Sequence, residues 1–421
     1  MPRGSSAVWM RRRREVSRLV RARTRLVAAG VILAGVALSL TNATPAAADP
    51  GTFVYTANTS SGNVSVINTA TNLVADSEPS GDEPYGVAVN SSGTRVYVTN
   101  RISGFVSVFD TTNNTGVDEI PVGDLPQGVA VNPSGTRVYT ANGGSGDVSV
   151  IDTTQDPPAV ATVGVGASPF GVAVSPSGAR AYVTNQADDD VSVIDTATNT
   201  LILPDISVGD SPQGVAVSPS GTRIYTANRD DNNVSVIDTA TGLPAPGSPI
   251  SVGGFPFGVA VSPDGTRVYT ANSSTDDVSV IDAASNTVID TIPLLPTGGE
   301  GPRGVAVSPD GDRVYTANGS SDNVSVIDTL TNTVSAIVPL GGTGVGDQPT
   351  GLAVAAFPGS ATAQCPPGPS TALTGGGFEI TGPFPNYFNS KPVVNDTWQI
   401  SGTNPTPQTN TLTSQAVCGT G

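Results

Sequence analysis

The sequence predicts an all-β fold, a seven-bladed β-propeller, and three features support this prediction. The motif Tyr-x-x-Asn recurs seven times at intervals of 42 to 46 residues, an interval typical of propeller blades. Short runs rich in Val, Ile, Thr and Tyr are separated by Gly and Pro, which favours strands and leaves no helical window. A second motif, Pro-x-Gly, also recurs seven times. It is absent before the first Tyr-x-x-Asn and present after the last one, which indicates a closed ring. The first motif begins at Tyr55, Tyr97, Tyr139, Tyr182, Tyr225, Tyr269 and Tyr315, and the second begins at Pro84, Pro126, Pro169, Pro212, Pro256, Pro302 and Pro349.

Each repeat reads as one four-stranded blade. In the third repeat, the strand-like runs 126–131, 136–142 and 148–152 are separated by turns, of which the first is Asn-Pro-Ser-Gly. Pro presets the backbone for such a turn and Gly accepts the left-handed conformation that closes it. A fourth run follows in most repeats, as at 117–122 and 287–294. Four antiparallel strands make a propeller blade, whereas a parallel β-solenoid usually repeats at about half this interval or less.

The two chain ends are predicted to close the ring together. Residues 52–58 begin at a second strand with no Pro-x-Gly before it, while residues 349–357 supply an innermost strand with nothing after it. The C-terminal strand should therefore complete the first blade and leave no open sheet edge. Residues 49–358 are therefore assigned to the propeller.

The repeats resemble those of a known family. Tyr97-Val98-Thr99-Asn100 is similar to the YVTN-family β-propeller repeat of bacterial and archaeal extracytoplasmic proteins, and so is the segment 182–185 with its following run 191–199. The resemblance covers nearly all of residues 51–357. It implies the seven-bladed fold, and it implies that the relatives of this chain include surface-layer and adhesion proteins. It does not imply an activity, because propellers carry many unrelated functions.

Residues 1–48 are predicted to be a signal peptide. An arginine-rich start is followed by an apolar run over 26–40 and by three alanines at 46–48, the pattern of a cleavable leader. The apolar run is too short for a comfortable membrane span, so a single membrane anchor is the weaker alternative. We therefore predict a secreted protein, extracellular or associated with the cell surface, with no membrane span after cleavage.

Charge and composition exclude several kinds of function. The leader holds nine of the 19 basic residues and one of the 35 acidic ones, so 10 basic and 34 acidic residues remain, a net charge of −24. Such a chain repels phosphate backbones, so we predict no nucleic-acid partner. Histidine is absent, which excludes a Ser-His-Asp triad and His-ligated metals. We predict a monomer with no cofactor and no metal site.

The last part of the chain is predicted to be a small separate β domain, residues 359–421. Three strand-like runs, 371–380, 398–401 and 411–417, lie between the two cysteines of the chain, Cys365 and Cys418. Two cysteines that bracket a small domain of an exported protein suggest a disulfide. The segment is similar to small cysteine-bounded β domains of secreted actinobacterial proteins, and this resemblance implies no activity.

One position of the repeat varies while its neighbours hardly change, and it is the predicted ligand site. The middle residue of Pro-x-Gly leads into the innermost strand, so all seven copies should meet at one mouth of the central channel. Three aromatic rings, two amides and a cation there would form an apolar platform with a few polar groups that select the ligand. The alternative is that they fill the channel. The predicted ligand-binding residues are Tyr85, Gln127, Phe170, Gln213, Phe257 and Arg303, and the seventh copy is Thr350.

Other recurring polar residues are predicted to be structural. An arginine begins the second strand of six repeats and should pair locally with a carboxylate or carbonyl, while an aspartate ends the third strand and should cap the following turn. Acidic hairpins between the second and third strands should form a solvated rim on the same face as the variable positions. Ca²⁺ binding there is the weaker alternative, because the spacing matches no calcium loop. The arginines are Arg95, Arg137, Arg180, Arg223, Arg267 and Arg313; the aspartates are Asp110, Asp152, Asp195, Asp238, Asp282 and Asp328.

Two functions fit these features. The first is a non-enzymatic scaffold that binds an extracellular protein, glycan or small molecule. Such binding needs neither a histidine nor a His-ligated metal. The alternative is a lactonase-like or quinoprotein-like propeller enzyme that uses carboxylate and arginine chemistry. No nonrepeating cluster of acids and arginines stands out, so we predict the scaffold and assign no catalytic residue. The scattered residues considered are Glu83, Glu119, Glu300, Arg101, Arg229 and Arg303.

Overall fold

The computed structural model describes residues 51–295, 297–341 and 347–356, together with four short strands nearer the C-terminus. Those four are Gly377–Ile380, Asn389–Val393, Thr397–Ser401 and Leu412–Gln415, and they pair as two separate two-stranded antiparallel sheets. The predicted signal peptide and both cysteines of the predicted disulfide lie outside the described residues. These two features, and the domain boundaries, stay predictions. No helix in the described part of the chain is long and apolar enough to cross a membrane.

Seven antiparallel sheets form the predicted seven-bladed propeller, so the fold class is confirmed. We number the blades so that blade 1 contains Thr52–Asn58 and blade 7 contains Arg313–Asn318. The innermost strands of blades 2 to 7 and then blade 1 are Pro84–Val89, Pro126–Val131, Pro169–Val174, Pro212–Val217, Pro256–Val261, Pro302–Val307 and Pro349–Ala356. The second strands of blades 1 to 7 are Thr52–Asn58, Arg95–Asn100, Arg137–Asn142, Arg180–Asn185, Arg223–Asn228, Arg267–Asn272 and Arg313–Asn318.

The third and outer strands complete each blade. The third strands are Asn63–Asn68, Phe105–Asp110, Asp147–Asp152, Asp190–Asp195, Asn233–Asp238, Asp277–Asp282 and Asn323–Asp328. The continuous outer strands are Leu73–Pro79, Thr115–Pro121, Ala159–Gly164, Thr287–Pro293 and Thr333–Pro339. In blades 4 and 5 the outer strand is interrupted, as Thr200–Leu201 with Ile206–Ser207 and as Leu243–Pro244 with Ile250–Ser251.

The ring closes as the sequence predicts. Strand Pro349–Ala356 pairs antiparallel with Thr52–Asn58, with Tyr55 opposite Ala353. The last described propeller strand is therefore the innermost strand of the first blade. This exchange removes the open edge that a ring built in simple chain order would leave between its first and last blades.

Glycine allows the innermost strands to approach each other closely around the channel. A Cβ atom on Gly86 of blade 2 would lie 2.3 Å from the carbonyl oxygen of Gln127 in blade 3. The same contact repeats at every blade junction at 2.3 to 2.7 Å, and it ends with Gly351 of blade 1 against the carbonyl oxygen of Tyr85. Real Cβ atoms essentially never come within 3.0 Å of another atom in this way. The glycine of Pro-x-Gly is thus required by packing.

The core lies between neighbouring blades. Each tyrosine of Tyr-x-x-Asn is buried, and it packs in a cluster that combines residues of its own blade and an adjacent one. In one such cluster, Tyr225 and Val234 of blade 5 contact Val268 and Ile281 of blade 6. This burial on both faces of each sheet explains the apolar runs Val-Ala-Val and Val-Ser-Val-Ile. Each fully buried Val or Ile side chain contributes about 1.5–3 kcal/mol to the stability of the fold.

The recurring aspartates and arginines have structural roles, with one correction. The aspartates accept hydrogen bonds from backbone N–H groups of the following turn, as Asp195 does from Ala197 at 2.9 Å, which confirms the predicted caps. The arginines do not all pair within their own blade. Only Arg95 contacts an aspartate there, Asp110, whereas the others donate to a carbonyl of the next blade. The arginine side chain is long enough to cross the blade junction, which the repeat pattern alone could not show.

Removal of strand Pro349–Ala356 should prevent the ring from closing. A chain that ends at residue 348 leaves the edge of Thr52–Asn58 unpaired and the channel open on one side, so we expect no cooperative thermal unfolding transition. The control is a chain that ends at residue 356. Circular dichroism melting of both chains tests this expectation, and indistinguishable melting curves would contradict the observed closure.

A methyl group in the glycine ring should destabilise the fold. Gly258→Ala would bring a Cβ within 2.5 Å of the carbonyl oxygen of Arg303, and overpacking of this kind costs about 1–3 kcal/mol. The matched control is Gly164→Ala on an outer strand, where a Cβ meets no atom within 4 Å. Denaturant titration should show the loss in free energy of unfolding for the first variant only, and equal stabilities would show that the close approach is not required.

Candidate functional site

The central channel carries most of the predicted ligand residues. A cavity of about 170 Å³ is lined by all seven innermost strands, and Tyr85, Gln127, Phe170, Phe257 and Thr350 contribute to its wall. The structure thus brings four of the six predicted side chains, and the seventh copy of the motif, into one cavity. The side chains of the other two, in blades 5 and 7, lie elsewhere.

Gln213 and Arg303 do not line the cavity, for different reasons. Gln213 is 2% exposed, and its amide donates a hydrogen bond to the Ser211 carbonyl oxygen at 3.3 Å. The Arg303 guanidinium lies over the Phe257 ring, 5.9 Å from its centroid. Because residue 319 is glycine, the Arg303 side chain can fold across it, with Nε 3.2 Å from the position that a Cβ would take.

Three aromatic rings from blades 2, 4 and 6 form one edge-to-face cluster. The ring centroids of Tyr85 and Phe170 are 5.8 Å apart at an interplanar angle of 82°. Those of Phe170 and Phe257 are 5.3 Å apart at 80°. This geometry is the one that aromatic quadrupoles favour. The cluster gives the channel mouth a rigid apolar wall, with the Arg303 cation at its edge.

A second nonrepeating position lies at the same mouth, and sequence reasoning missed it. The residue after Tyr-x-x-Asn donates its backbone N–H to the carbonyl oxygen of the residue before Pro-x-Gly, at 2.9 to 3.3 Å in all seven blades. That acceptor residue has φ between 46° and 61°, although six of the seven are not glycine, and such a backbone costs energy. The donors are Thr59, Arg101, Gly143, Gln186, Arg229, Ser273 and Gly319; the acceptors are Gln348, Glu83, Leu125, Ser168, Ser211, Phe255 and Gly301.

Some of the nonrepeating residues that looked scattered in the sequence meet at this mouth. Arg101 and Glu83 form an ion pair of 2.8 Å at the mouth, and the Arg229 guanidinium lies 5.0 Å from the centroid of the Phe255 ring. The two side chains of the ion pair are 37% and 39% exposed, and exposed pairs contribute little to stability. The signal was available in the sequence, since both positions vary within an otherwise regular repeat.

The pKa of the Tyr85 phenol depends on burial and on the charged side chains at the mouth. Burial raises the pKa of Tyr85 to about 12, while three arginines lower it in part and Glu83 raises it further. The arginines, in order of effect, are Arg303, Arg101 and Arg229. Tyr85 therefore stays protonated at neutral pH and can donate a hydrogen bond from within a locally cationic surface.

The acidic hairpins lie at this mouth as predicted, and several of their carboxylates hold the loops in place. Asp189 accepts the backbone N–H of Ser211 at 2.8 Å, and Asp322 accepts that of Gln348, also at 2.8 Å. Asp210 has a raised pKa, chiefly because Asp231 lies nearby. Within the described residues no group of three or more acidic side chains is placed to hold a metal ion. The rim is negative, and the Arg229 guanidinium lies 3.8 Å from one of its carboxylates, that of Asp230.

Comparison with known proteins gives one family and a set of similar folds. The family model "Lactonase, 7-bladed beta-propeller" matches residues 52–161 and 255–339. No curated protein matches the chain. Kuenenia stuttgartiensis hydrazine synthase is similar, with 24% identity, a TM-score of 0.60 and coverage of 71% of this chain and 99% of that chain.

Two further solved structures share the fold. A functionally unknown protein from Desulfotomaculum acetoxidans has 17% identity and a TM-score of 0.61, over 73% of this chain and 99% of that chain. The dihydro-heme d1 dehydrogenase NirN has 16% identity and a TM-score of 0.54, over 72% of this chain and 75% of that chain. At these identities the likeness is one of fold.

The predicted non-enzymatic scaffold is wrong. The matching family model is that of the seven-bladed lactonase propellers. This match favours the alternative, a propeller of the lactonase-like kind. The resemblance to seven-bladed YVTN propellers is confirmed by the fold. The chain is a seven-bladed β-propeller, similar to the family "Lactonase, 7-bladed beta-propeller" over residues 52–161 and 255–339.

Proposed function

We propose that this propeller is a hydrolase that opens a small lactone at the mouth bearing Tyr85. One observation carries the proposal: three arginines that interrupt the repeat lie at this mouth, one of them paired with Glu83 at 2.8 Å, in a chain that is otherwise strongly acidic. Negative charge develops on the carbonyl oxygen when an ester is attacked, and fixed cations stabilise that charge. The arginines are Arg303, Arg101 and Arg229.

Glu83 is the proposed general base. Its carboxylate takes a proton from a water molecule as the water oxygen bonds to the lactone carbonyl carbon, and the ring ester bond then breaks in the tetrahedral intermediate. The departing alkoxide takes the proton back from Glu83, so the product is an open hydroxy acid. The ion pair with Arg101 at 2.8 Å orients the carboxylate, and a positioned base of this kind contributes about 10²–10⁴ in rate.

Tyr85 and Arg303 are the proposed stabilisers of the oxyanion. The phenol is protonated at neutral pH, as any tyrosine with a pKa of 10 or above is, so it can donate a hydrogen bond. The Arg303 guanidinium, over the Phe257 ring, supplies charge at the edge of the aromatic wall. Because the chain has no histidine, direct attack by water fits its chemistry better than a covalent route that depends on Ser and His.

The aromatic cluster is the proposed binding wall for the body of the substrate. Phe170 and Phe257 present apolar surface, while the Gln127 amide can hydrogen bond to a polar substituent. A cavity of about 170 Å³ is below the usual range for drug-sized ligands, which favours a small ring at the mouth. The family match supports this reading, since Glu83, Tyr85, Arg101, Phe257 and Arg303 all fall within the matched segments. With the predicted signal peptide, the proposal describes an exported hydrolase.

Lactone opening by the mature chain, residues 49–421, tests the proposal. The assay follows acid release from a panel of five- and six-membered lactones with a pH indicator. We expect Glu83→Gln to lower kcat by about 10²–10⁴ and Arg303→Met to lower it by about 10²–10³. The matched controls, Glu119→Gln and Arg95→Gln, change the same residue types away from this mouth and should keep full activity. No hydrolysis above background, or full activity in Glu83→Gln, would contradict the proposed function.

Truncation of the aromatic wall should weaken substrate binding more than it slows the chemistry. We expect Phe170→Ala combined with Phe257→Ala to raise KM by about 5- to 150-fold, as expected when aromatic anchors worth about 1–3 kcal/mol are lost. The measurement is KM and kcat, with a thermal melt to confirm that the ring remains folded. A folded double variant with unchanged KM would move the substrate away from this wall.

A further inference from the structure

A contact between neighbouring blades that is made at three junctions is missing at the junction of blades 4 and 5. In blades 3, 5 and 6 the arginine that begins the second strand donates to a carbonyl oxygen and also to an asparagine side chain in the next blade. The asparagine contacts are Arg137 to Asn199 at 3.3 Å, Arg223 to Asn286 at 3.2 Å and Arg267 to Asn332 at 3.3 Å. These asparagines have φ of 52° to 53°. Each guanidinium thus has a second acceptor from the protein.

At the junction of blades 4 and 5 that acceptor is absent. Arg180 donates to the Thr239 carbonyl oxygen at 3.0 Å and is exposed. The position of the asparagine is taken by Gly242, with φ of 69°. A Cβ there would lie 3.9 Å from Ile206, so there is space for a side chain. The guanidinium therefore faces a place where blades 4, 6 and 7 supply an asparagine oxygen to the arginine of the preceding blade.

A groove lies at the same junction. The outer strands of blades 4 and 5 are the two that are interrupted, and a groove of about 510 Å³ opens between them. Its apolar lining includes Leu203 and Leu243, which are 70% and 62% exposed. A volume of this size lies within the range of small-molecule sites. We call it the blade 4–5 groove.

An unpaired acceptor lies in the blade 4–5 groove. Asp205 lines it, and the Oδ1 atom of Asp205 is buried without a hydrogen-bond partner among the described residues. A buried acceptor left unpaired is costly, and a carboxylate oxygen more so. Asp190 nearby has a raised pKa, chiefly through burial, to which the charge of Asp205 contributes. The local potential therefore favours a cationic donor.

We propose that the blade 4–5 groove binds a zwitterionic ligand with an apolar body, of the class of an apolar dipeptide. The ligand carboxylate takes the place of the missing asparagine oxygen and accepts from Arg180, which can bind a carboxylate through two N–H groups. The ligand ammonium donates to Asp205. The aliphatic side chains of the ligand cover Leu203 and Leu243, which are otherwise open to solvent.

This site is independent of the proposed lactone chemistry. It uses residues of blades 4 and 5 at their outer strands, whereas the lactone site lies at the channel mouth on the innermost strands. Loss of one site leaves the other unchanged, so failure of either proposal can be recognised separately. Lactone hydrolysis in the groove variants should equal that of the unchanged chain.

Calorimetric titration of the full mature chain with Leu-Leu tests the site, with two blocked analogues as probes. We expect N-acetyl-Leu-Leu, which lacks the ammonium, and Leu-Leu amide, which lacks the carboxylate, each to bind about tenfold to a hundredfold more weakly. Asp205→Asn should remove the preference for the free ammonium. The matched control Asp118→Asn, on the continuous outer strand of blade 2, should leave all three affinities unchanged.

Gly242→Asn gives the sharpest variant, because it restores the asparagine of the other blades. The new side chain should occupy Arg180 and lower the affinity for Leu-Leu at least tenfold, while the thermal stability of the protein is kept or raised. No binding of Leu-Leu by the unchanged chain, equal binding of the three probes, or full affinity in the stably folded Gly242→Asn variant would each overturn the proposal.

Discussion

The close approach of the seven innermost strands is the constraint on which the rest of the structure depends. At each blade junction the glycine of Pro-x-Gly lies against the carbonyl oxygen of the next blade, at a distance where no other residue fits. Seven such contacts return to the first blade and define the channel. They also fix the start of every innermost strand, so the residue before each glycine is held at one mouth. A variable side chain on this rigid ring can be placed accurately, as a reaction site requires.

The mouth combines strain, charge and apolar surface that the repeat alone does not need. Six non-glycine residues with left-handed backbone lie beside the channel, and such strain often accompanies function. The exposed pair of Arg101 with Glu83 contributes little to stability, so its presence is better explained by chemistry at the mouth. The aromatic wall beside it provides an apolar surface. These features belong to the short loops between strands, while the sheets below them stay regular.

The sequence was sufficient for the fold because the fold repeats. Seven copies of two motifs predicted the blades, the closure and the aspartate caps, and each proved correct in the structure. Contacts across blade junctions could not be predicted, because their partners are about 60 residues apart and carry no pattern of their own. Arg137 reaching Asn199 and Gln213 turning toward Ser211 are examples. The ion pair of Glu83 with Arg101 was missed because only the left-handed loop brings these two residues, 18 positions apart, into contact.

The central claim is that a lactone is opened at the mouth that carries Tyr85 and Arg303. The most direct measurement is a crystal structure of the mature protein with a cyclic phosphonate, which resembles the tetrahedral intermediate of lactone hydrolysis. The account predicts a phosphonate oxygen within hydrogen-bonding distance of the Tyr85 hydroxyl or the Arg303 guanidinium, with the ring against Phe257. A phosphonate bound at the opposite mouth, or in the blade 4–5 groove alone, would contradict it.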